Sequence, residues 1–478
     1  MFSEVLINVA ALYDRTFTYK GSAEVGSLVK VPFGNRQAVG LVLNTLANTD
    51  QNDMEMKDIV GHLYDGEPIL NLELLAIARE MAQFYLCPFG SAIEVMLPIP
   101  FSAKEVAGWK KGRTRDTGIG LADALVMKTP SVLTPDQVEA ISEITRAIDT
   151  KKTIPFLLHG VTGSGKTEVY LRAISHVLSN YPDRQIIYLV PEIALTPSAI
   201  ATLISRFGDS VGVLHSALSP GERMRTWRRI MAGDTRIIVG ARSALFAPVG
   251  KLALIIIDEE HETSYRHEGG FYFHTRILAQ LRAKKCGALV ILGSATPSIE
   301  VYYNAIQGRA RLLELRSRPA GSMLPDVSIV DMRSEIRSGN TGLLSRELQD
   351  AIQQCMNRGE QALLLFNRRG YAQFSLCQTC GYIPQCPLCD VSLHFHAETF
   401  SLKCHYCNYS TRYVRECSKC GGERMKNKGA GTEKLEEVLR STFPDSKVTR
   451  IDADTTRFKG SHTRLLLEFS GSKGHILL

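Results

Sequence analysis

The segment FLLHGVTGSGKTEVYLRAI constrains the fold of this chain more strongly than any other part of it. It starts as an apolar strand and ends as a helix, and from Gly160 to Thr167 it fits the pattern G-x-x-x-x-G-K-[ST]. In this setting Gly160, Gly163 and Gly165 let backbone N–H groups surround a phosphate at the start of the helix. We therefore predict a nucleotide site in which Lys166 reaches the β- and γ-phosphates and Thr167 binds Mg²⁺.

A second site is predicted in LALIIIDEEHETS, where an apolar strand over residues 252–257 is followed by acidic residues. The strand delivers Asp258 and Glu259 to its carboxyl end, where α/β sheets bind ligands. We expect Asp258 to hold Mg²⁺ and Glu259 to polarise the attacking water. An acidic cap between a strand and a helix is the alternative, and it is common on its own. The phosphate-binding pattern earlier in the chain favours the catalytic interpretation.

Four further segments repeat the order of apolar strand, polar loop and helix. They are IIYLVPEIALTP, TRIIVGARSALFAP, ALVILGSATPS and QALLLFNRRGYA. Such alternation predicts a parallel sheet with crossover helices, so the fold class is α/β. Residues 294–296, Ser-Ala-Thr, are predicted to end a strand close to the nucleotide.

Eight of the eleven cysteines form four C-x2-C pairs between residues 377 and 420. Eight sulfurs are enough for two tetrahedral zinc sites. A redox-active C-x-x-C motif is the alternative, but it needs one pair at the start of a helix rather than four pairs beside Gly and Pro. We predict two structural Zn²⁺ ions that fold a loop and leave no open position for catalysis. The spacing alone leaves the pairing open, and the ligands are Cys377, Cys380, Cys386, Cys389, Cys404, Cys407, Cys417 and Cys420.

The net charge of +7 is weak support for a polyanionic partner. Eight thiolates and two Zn²⁺ ions would reduce it to about +3. The start, MFSEVLINVA, has no basic stretch before an apolar core, and no apolar run is long enough to cross a bilayer. We therefore predict a cytoplasmic protein, in which paired cysteines more often bind metal than form disulfides.

The motifs GVTGSGKT, DEEH and SAT, in this order, resemble those of superfamily 2 helicases. Together with LVPEIALTP, GARSALFAP, LLFNRRGYA, GTEKLEEVL and the cysteine array, they resemble the PriA family of bacterial replication-restart helicases. The resemblance covers most of residues 1–100 and nearly all of 131–478. It implies RecA-like P-loop helicase lobes that use ATP and Mg²⁺, a zinc-binding insertion in the second lobe and a small β-rich N-terminal DNA-binding domain.

The resemblance also implies roles for residues around the nucleotide. His261, the last residue of DEEH, would couple the nucleotide state to DNA contacts together with Ser294 and Thr296. Gln137 in LTPDQ could read the adenine, and capping of the following helix is the alternative for this residue.

Two segments resemble DNA-contacting parts of the family. Arg242 in GARSALF lies where the family touches a DNA strand. EGGFYFHTR matches an aromatic-rich loop that links DNA binding to hydrolysis, and its Phe271, Tyr272 and Phe273 suit base stacking. Without the resemblance, a buried core strand is an equal alternative for these three aromatic residues.

Residues 1–100 resemble the family's domain for the 3′ end of a nascent leading strand. RTFTY and VPFGN fit two of its β segments, and its pocket corresponds to Phe17, Thr18, Gly34 and Lys57. Phe17 would stack on the terminal base and Lys57 would meet a phosphate. The family often has Asp where this chain has Thr18, and a hydroxyl accepts from a 3′-hydroxyl more weakly than a carboxylate does.

The same resemblance predicts the order of domains. In the family the cysteine pairs are nested, which implies an outer zinc site from the first and last pairs and an inner site from the middle two. The 101–130 stretch is expected to be a linker or a reduced winged-helix remnant. The end, SGSKGHILL, lies where the family continues into further helicase motifs, so we expect a fragment or a degenerate paralogue. The predicted DNA-binding domain covers residues 1–100, and the linker or winged-helix remnant covers 101–130. Helicase lobe 1 is predicted over 131–315, and the incomplete lobe 2 over 316–376 and 421–478. The zinc-binding insertion within lobe 2 covers 377–420.

The function predicted from these features is an ATP-dependent 3′-to-5′ DNA helicase of replication restart that recognises forked and single-stranded DNA. Its expected partners are the single-stranded DNA-binding protein and other primosome proteins. The alternative is a DNA- and ATP-binding primosome scaffold without motor activity. A zinc-ribbon nuclease or transcription factor is a third hypothesis, and it does not account for the phosphate-binding loop.

Overall fold

Two units divide the chain in the computed structural model, Met1–Met323 and Leu324–Leu478, and each is described by itself. No helix within the described residues combines the length and the apolar character that crossing a membrane requires. The structure describes residues 1–7, 14–47, 56–98, 132–191, 197–215, 218–317, 325–366, 373–377, 379–396, 399–404, 406–422, 425–428, 432–452, 455–456 and 461–478.

The first unit begins with a five-stranded antiparallel sheet in the order β2-β1-β4-β3-β5. Because successive strand residues point to opposite faces, both faces of this sheet carry apolar side chains. One face holds Leu6, Leu28 and Leu41, and the other holds Val5 and Val29. The strands are β1 (Phe2–Ile7), β2 (Thr16–Lys20), β3 (Leu28–Phe33), β4 (Arg36–Leu46) and β5 (Gly61–His62). The predicted β-rich N-terminal domain is thereby confirmed.

Two helices follow this sheet, α1 (Leu72–Tyr85) and α2 (Phe89–Met96). Helix α1 starts at Leu72 because the Asn71 side chain caps it by accepting a hydrogen bond from the backbone N–H of Leu74 at 2.9 Å. Its buried residues join the Leu6 face of the sheet in one apolar cluster.

A seven-stranded sheet in the order β14-β6-β13-β10-β7-β9-β8 forms the rest of the first unit. Its paired strands are parallel, which confirms the predicted α/β class. The strands are β6 (Phe156–Gly160), β7 (Gln185–Leu189), β8 (Val211–Leu214), β9 (Ile237–Gly240), β10 (Leu252–Ile257), β13 (Leu289–Ser294) and β14 (Arg311–Leu315). A short antiparallel pair, β11 (Arg266–His267) and β12 (Phe273–His274), lies between β10 and β13 in sequence.

Helices connect these strands, as the alternating pattern predicted. In chain order they are α3 (Pro135–Asp149), α4 (Lys166–Asn180), α5 (Pro197–Phe207), α6 (Pro220–Met231), α7 (Thr275–Cys286) and α8 (Ile299–Ile306). The central strands β7, β10 and β13 are buried over their whole length, and most of their residues are apolar, as in parallel sheets covered on both faces.

The second unit contains a small parallel sheet and a β-rich insertion. The parallel sheet has the order β15-β22-β21, and the insertion is a five-stranded antiparallel sheet in the order β19-β18-β17-β16-β20. The strands are β15 (Ala362–Leu363), β16 (Gln373–Cys377), β17 (His394–His396), β18 (Ser401–Lys403), β19 (Ser410–Arg412), β20 (Met425–Lys428), β21 (Lys447–Thr449) and β22 (His475–Leu477). The helices are α9 (Met332–Arg337), α10 (Arg346–Asn357), α11 (Thr432–Thr442) and α12 (Ser461–Ser470).

A buried ion pair fastens α1 to the seven-stranded part of the first unit. Arg282 in α7 is 1% exposed, and its Nε and Nη2 donate to the two carboxylate oxygens of Glu73 at 2.8 and 3.2 Å. The same guanidinium donates to the carbonyl oxygens of Leu245 and Ala247. The guanidinium of Arg282 therefore connects α7 both to α1 and to the end of the GARSALFAP segment.

Further hydrogen bonds cross this junction, among them two that involve buried aromatic side chains or their neighbours. The Trp227 indole N–H donates to the carbonyl of Ile69 at 2.8 Å, and the backbone N–H of His274 donates to the Tyr85 hydroxyl at 3.2 Å. The apolar cluster is also continuous across it. The ranges predicted as 1–100 and 131–315 thus belong to one compact unit, and the predicted linker 101–130 lies outside the described residues.

Replacing Arg282 by methionine is expected to destabilise the first unit by about 1.5–3 kcal/mol, because Glu73, which is 22% exposed, would lose its charged hydrogen-bond partner. Urea denaturation of the whole chain measures this loss. The matched control is Glu80→Gln, which breaks a pair between the same two helices, to Lys285, with both side chains about one-third exposed or more. That exposed pair should contribute at most about 1 kcal/mol. Equal losses for both variants would contradict the prediction.

Candidate functional site

The phosphate-binding loop lies between the end of β6 and the start of α4, as predicted. Gly163 and Gly165 have φ angles of 81° and 82°, which a side chain disfavours. At Gly160 the constraint is space, because a Cβ there would lie 2.5 Å from the Ser164 hydroxyl oxygen. These glycines therefore shape a loop whose N–H groups precede the α4 N-terminus.

Lys166 is 8% exposed, and its ammonium group points back into the loop. Its Nζ donates to the carbonyl of Gly160 at 2.8 Å and lies 3.9 Å from the Glu259 carboxylate. The hydroxyl of Ser164 is buried, and no described residue hydrogen-bonds it. Thr167, at the next position of α4, is exposed. A buried cation, a hydroxyl without a partner and an accessible threonine suit a phosphate and its Mg²⁺.

The acidic residues follow β10 at the carboxyl edge of the sheet. The backbone N–H of Asp258 donates to the carbonyl of Leu189 at 2.9 Å, which continues the pairing with β7. Glu259 has a φ of 46°, an unusual conformation for a residue with a side chain. Burial, and after it the negative charge of Glu259, raises the pKa of Asp258 to about 6. A divalent cation would favour the ionised form of this carboxyl group.

His261 lies beside the two residues that the resemblance grouped with it. Its Nδ1 is 2.8 Å from the Ser294 hydroxyl, and its Nε2 is 3.4 Å from the Thr296 hydroxyl. The same Nδ1 is 3.7 Å from the Glu259 carboxylate. The structure thus brings the acidic site into contact with the end of β13, and the coupling role of His261 stays a prediction.

Gln137 caps α3, which was the alternative to reading adenine. Its backbone N–H donates to the Thr134 hydroxyl at 3.3 Å, and its side-chain oxygen accepts from the Thr134 N–H at 2.9 Å. The side-chain nitrogen donates to the carbonyl of Ser164 at 2.9 Å, and Gln137 is 2% exposed. The residue therefore connects the start of α3 to the phosphate-binding loop, and its contact with adenine stays a prediction.

Sequence reasoning missed Glu260, the third residue of DEEH. Its buried carboxylate accepts from the Arg276 guanidinium at 2.7 Å and from the N–H and hydroxyl of Ser298 at 2.7 and 3.1 Å. It therefore joins the acidic segment to the starts of α7 and α8. The charge of Glu260 was visible in the sequence, but its partners were not.

The aromatic segment packs partly into the first unit. Phe273 is 1% exposed, with its ring centroid 6.0 Å from that of Phe246 and 6.4 Å from that of Tyr85. Base stacking by Phe273 therefore does not fit this structure, because its ring is covered on the core side of β12. Phe271 is half-buried and Tyr272 is 53% exposed, so a base can reach Tyr272.

Arg242 opens a 3-10 helix, Arg242–Phe246, beside this segment. Its guanidinium lies 5.8 Å from the Phe273 ring centroid and donates to the carbonyl of Arg266. The two segments predicted to touch DNA are thus in contact with each other, and the DNA contact of Arg242 stays a prediction.

The predicted DNA-end residues lie on one part of the N-terminal sheet. Phe17 in β2 is half-buried, with its ring centroid 5.5 Å from that of Phe33, which directly precedes Gly34. Gly34 has a φ of 57° in the turn between β3 and β4. Thr18 lies opposite Glu4 of β1 in the sheet.

Lys57 is exposed, and its backbone carbonyl accepts from the N–H of Lys20 at 3.0 Å at the end of β2. Phe17 and Lys57 therefore lie at β2, and the Phe17 ring contacts that of Phe33, the residue before Gly34. Their contacts with a DNA end stay predictions.

The eight cysteines form two groups of four, and within each group all sulfurs lie within 4.8 Å of one another. Sulfur pairs across the outer group are 3.7 Å apart, and one pair across the inner group is 3.6 Å apart. The arrangement is the nested one that the resemblance implied. The outer group is Cys377, Cys380, Cys417 and Cys420, and the inner group is Cys386, Cys389, Cys404 and Cys407.

All four C-x2-C pairs end in the same kind of turn. The N–H of the residue after each pair donates to the carbonyl of its first cysteine, at 2.9 to 3.0 Å. These residues have positive φ angles, and they are Gly381, Asp390, Asn408 and Gly421. Gly, Asp and Asn adopt this conformation most readily, which explains these residue types in the turns. Four converging sulfurs in each group suit a tetrahedral zinc ion.

Family models match three parts of the chain. The model described as "3'DNA-binding domain (3'BD)" matches residues 4–98, and "DEAD/DEAH box helicase" matches residues 134–304. The model described as "PriA DNA helicase Cys-rich region (CRR) domain" matches residues 386–412. The names of the first and third models both refer to PriA.

Curated relatives extend the similarity over almost the whole chain. "Replication restart protein PriA" of Bacillus subtilis (strain 168) is 45% identical over 357 residues, which are 74% of this chain and 44% of the relative. The protein of the same name from Treponema pallidum (strain Nichols) is 36% identical over 477 residues, which are 97% of this chain and 69% of the relative. The chain thus spans about half to two-thirds of the length of these relatives.

Among solved structures, "Structure of RecG bound to three-way DNA junction" aligns with a TM-score of 0.41 and 19% identity, over 73% of this chain and 36% of that chain. The identity to the PriA proteins, over nearly the full length of this chain, decides the assignment. With the matched domain models, it shows that this chain belongs to the PriA family of replication restart proteins.

Proposed function

We propose that this chain acts as an ATP-dependent 3′-to-5′ DNA helicase in replication restart and primosome assembly. One observation carries the proposal. The ammonium group of Lys166, at the start of the phosphate-binding helix, lies 3.9 Å from the carboxylate of Glu259, which follows Asp258 at the end of β10. A cation and two carboxylates at the carboxyl edge of a parallel sheet are the groups that phosphoryl transfer needs. Membership in the PriA family supports the same conclusion.

The residues divide the chemistry among them. Lys166 leaves the Gly160 carbonyl and binds the phosphate oxygens, while Thr167 and Asp258 are the groups that would hold Mg²⁺. The metal, when bound, neutralises charge on the phosphate oxygens. Glu259 orients and polarises the attacking water from the side opposite the leaving group.

Coupling to DNA follows the contacts of the acidic segment. His261 contacts both Glu259 and the end of β13, so a change at the nucleotide alters its bonds to Ser294 and Thr296. Tyr272, the exposed residue of the aromatic segment, and Arg242, which contacts that segment, are side chains that we assign to the DNA strand. Phe271, which is half-buried with its ring centroid 5.6 Å from that of Phe273, is assigned to base stacking as well.

The N-terminal sheet supplies a second DNA site in this proposal. The half-buried Phe17 would stack on a terminal base, and the exposed Lys57 would meet a phosphate. Thr18 and Gly34 complete the pocket. Because Thr18 carries no charge, we expect only a small preference for a free 3′-hydroxyl over a 3′-phosphate.

The two cysteine groups bind one structural Zn²⁺ each in this proposal. The substrates are forked and single-stranded DNA, and the protein partners are the single-stranded DNA-binding protein and other primosome proteins. The place of action is the cytoplasm. The family similarity supports these assignments, and no membrane-spanning helix among the described residues opposes them.

Glu259→Gln tests the proposed function. It should lower DNA-stimulated ATP hydrolysis by about 100-fold or more while nucleotide binding persists, because general-base assistance is lost and the phosphate contacts remain. Phosphate release with and without forked DNA measures the rate of ATP hydrolysis. Titration with a fluorescent ATP analogue measures the nucleotide affinity. The matched control is Glu262→Gln, a change of the same type in the same loop, which should leave the rate close to that of the unmodified chain.

Two outcomes would contradict parts of this proposal. If the unmodified chain binds nucleotide and DNA but shows no DNA-stimulated hydrolysis, the scaffold alternative is favoured. If Glu259→Gln hydrolyses ATP at the unmodified rate, the assigned role of Glu259 is wrong.

A further inference from the structure

A tyrosine that belongs to none of the recognised motifs contacts the acidic site. Tyr170 lies in α4, one helical turn after Lys166, and its side chain is fully buried. Its hydroxyl donates a hydrogen bond to Oδ1 of Asp258 at 3.1 Å. The phosphate-binding helix therefore contacts the acidic site through Tyr170 as well as through Lys166.

The same carboxylate oxygen accepts a second hydrogen bond. The backbone N–H of Glu259 donates to Oδ1 of Asp258, also at 3.1 Å. Two donors on one oxygen restrict rotation of the carboxylate about its terminal bond, so the direction of the other oxygen is set as well. The Tyr265 hydroxyl donates to the backbone carbonyl of Asp258 at 2.7 Å and holds the main chain.

The fold keeps a space for the Tyr170 hydroxyl. A Cβ placed on Gly293, near the end of β13, would lie 1.5 Å from that hydroxyl oxygen and 3.4 Å from Oδ1 of Asp258. Any larger residue at Gly293 would therefore displace the hydroxyl. The Tyr170 ring is braced by Tyr188 of β7, with ring centroids 5.8 Å apart in an edge-to-face arrangement.

We propose that Tyr170 is a positioning residue that orients Asp258 toward Mg²⁺, and that position 293 is glycine because the Tyr170 hydroxyl occupies the space of a side chain there. This inference rests on the proposed function, since it assumes that Asp258 binds the metal of a bound nucleotide. Groups that orient a metal ligand typically change metal affinity or activity by about 10–100-fold when they are removed.

The test is Tyr170→Phe, which removes the hydroxyl and keeps the ring. Mn²⁺ replaces Mg²⁺ because electron paramagnetic resonance counts free Mn²⁺ directly, and a non-hydrolysable ATP analogue prevents turnover. We expect the Mn²⁺ affinity of the nucleotide complex to fall about 10-fold or more. Binding of the analogue without divalent metal should stay unchanged, because the hydrogen bond of the Tyr170 hydroxyl goes to Asp258 rather than to the phosphate-binding loop.

The matched control is Tyr181→Phe. Tyr181 ends the same helix, and its hydroxyl donates to Oδ1 of Asp149 at 2.8 Å, outside the nucleotide site. The nucleotide complex of Tyr181→Phe should bind Mn²⁺ with the same affinity as that of the unmodified chain. Thermal unfolding of each variant shows whether the fold is kept, so that a loss of metal binding is not a loss of structure.

The outcomes separate this inference from the proposed function. If the unmodified chain with nucleotide binds no Mn²⁺, the proposed function fails at its nucleotide site. If the unmodified chain binds Mn²⁺ and folded Tyr170→Phe binds it equally well, Tyr170 only fills the core and the inference is overturned. A Tyr181→Phe loss equal to that of Tyr170→Phe would overturn it too.

Discussion

Cys404→Ser is expected to unfold the inner part of the cysteine-rich sheet and to lower the zinc content from two ions per chain to about one. Cys404 is buried, and it shares its group with Cys386, Cys389 and Cys407. The apolar cluster around this group includes Leu393, Phe395 and Leu402, which is too little to fold a sheet without metal. Structural zinc contributes about 10–16 kcal/mol of apparent binding free energy in zinc-finger peptides, and in such sites this is folding energy.

Metal analysis of purified protein measures the zinc content, and limited proteolysis locates the unfolded segment within 386–412. The matched control is Cys355→Ser in α10, whose sulfur lies outside both groups and contacts the Gln361 carbonyl. That variant should retain two zinc ions and resist protease as the unmodified chain does. Two zinc ions retained by Cys404→Ser, or none bound by the unmodified chain, would contradict the assignment.

Lys166→Ala is expected to weaken nucleotide binding by at least about 100-fold. The substitution removes charge-assisted hydrogen bonds to the phosphates, which contribute about 1.5–3 kcal/mol each. It also leaves the carboxylates of Asp258 and Glu259 facing the phosphates without the cation that lies 3.9 Å from Glu259. Like charges at such distances repel most strongly where water is excluded.

Titration with a fluorescent ATP analogue in the presence of Mg²⁺ measures the loss. Lys152→Ala is the matched control, because Lys152 is exposed in the turn before β6 and belongs to the same lobe. It should bind nucleotide as the unmodified chain does. If Lys166→Ala binds the analogue within a few-fold of the unmodified chain, the nucleotide lies elsewhere and the phosphate-binding assignment fails.

The elements predicted with success share a local origin. β6, the loop and α4 follow one another directly, so the pattern from Gly160 to Thr167 describes the geometry almost completely. The strand predicted over residues 252–257 is β10 with the same bounds, because a fully buried parallel strand is apolar throughout. The four C-x2-C turns form as expected, since each pair closes its own turn, whereas the grouping of the pairs was implied only by the family resemblance.

Predictions about single side chains were less successful where burial decides the role. Phe271, Tyr272 and Phe273 are adjacent and chemically alike, yet Tyr272 is exposed while Phe273 lies in the core. Phe273 lies in β12 and Tyr272 lies just before it, so which of the two side chains is covered depends on how the rest of the fold packs against this segment. For Gln137 the structure shows the helix cap that was the alternative to reading adenine, and it adds a contact with Ser164 that the sequence did not indicate.

The sequence by itself determined the chemistry of this protein: a phosphate-binding loop, an acidic strand end and eight metal-binding thiols, each specified by residues close together in the chain. Only the tertiary structure decided which distant residues support that chemistry. Arg282 meets Glu73 across 209 residues, and Tyr170 reaches Asp258 across 88 through the space at Gly293. The physical reason is that spacing along a chain records local contacts, whereas a buried polar group is stable only if the packed fold brings its partner to it.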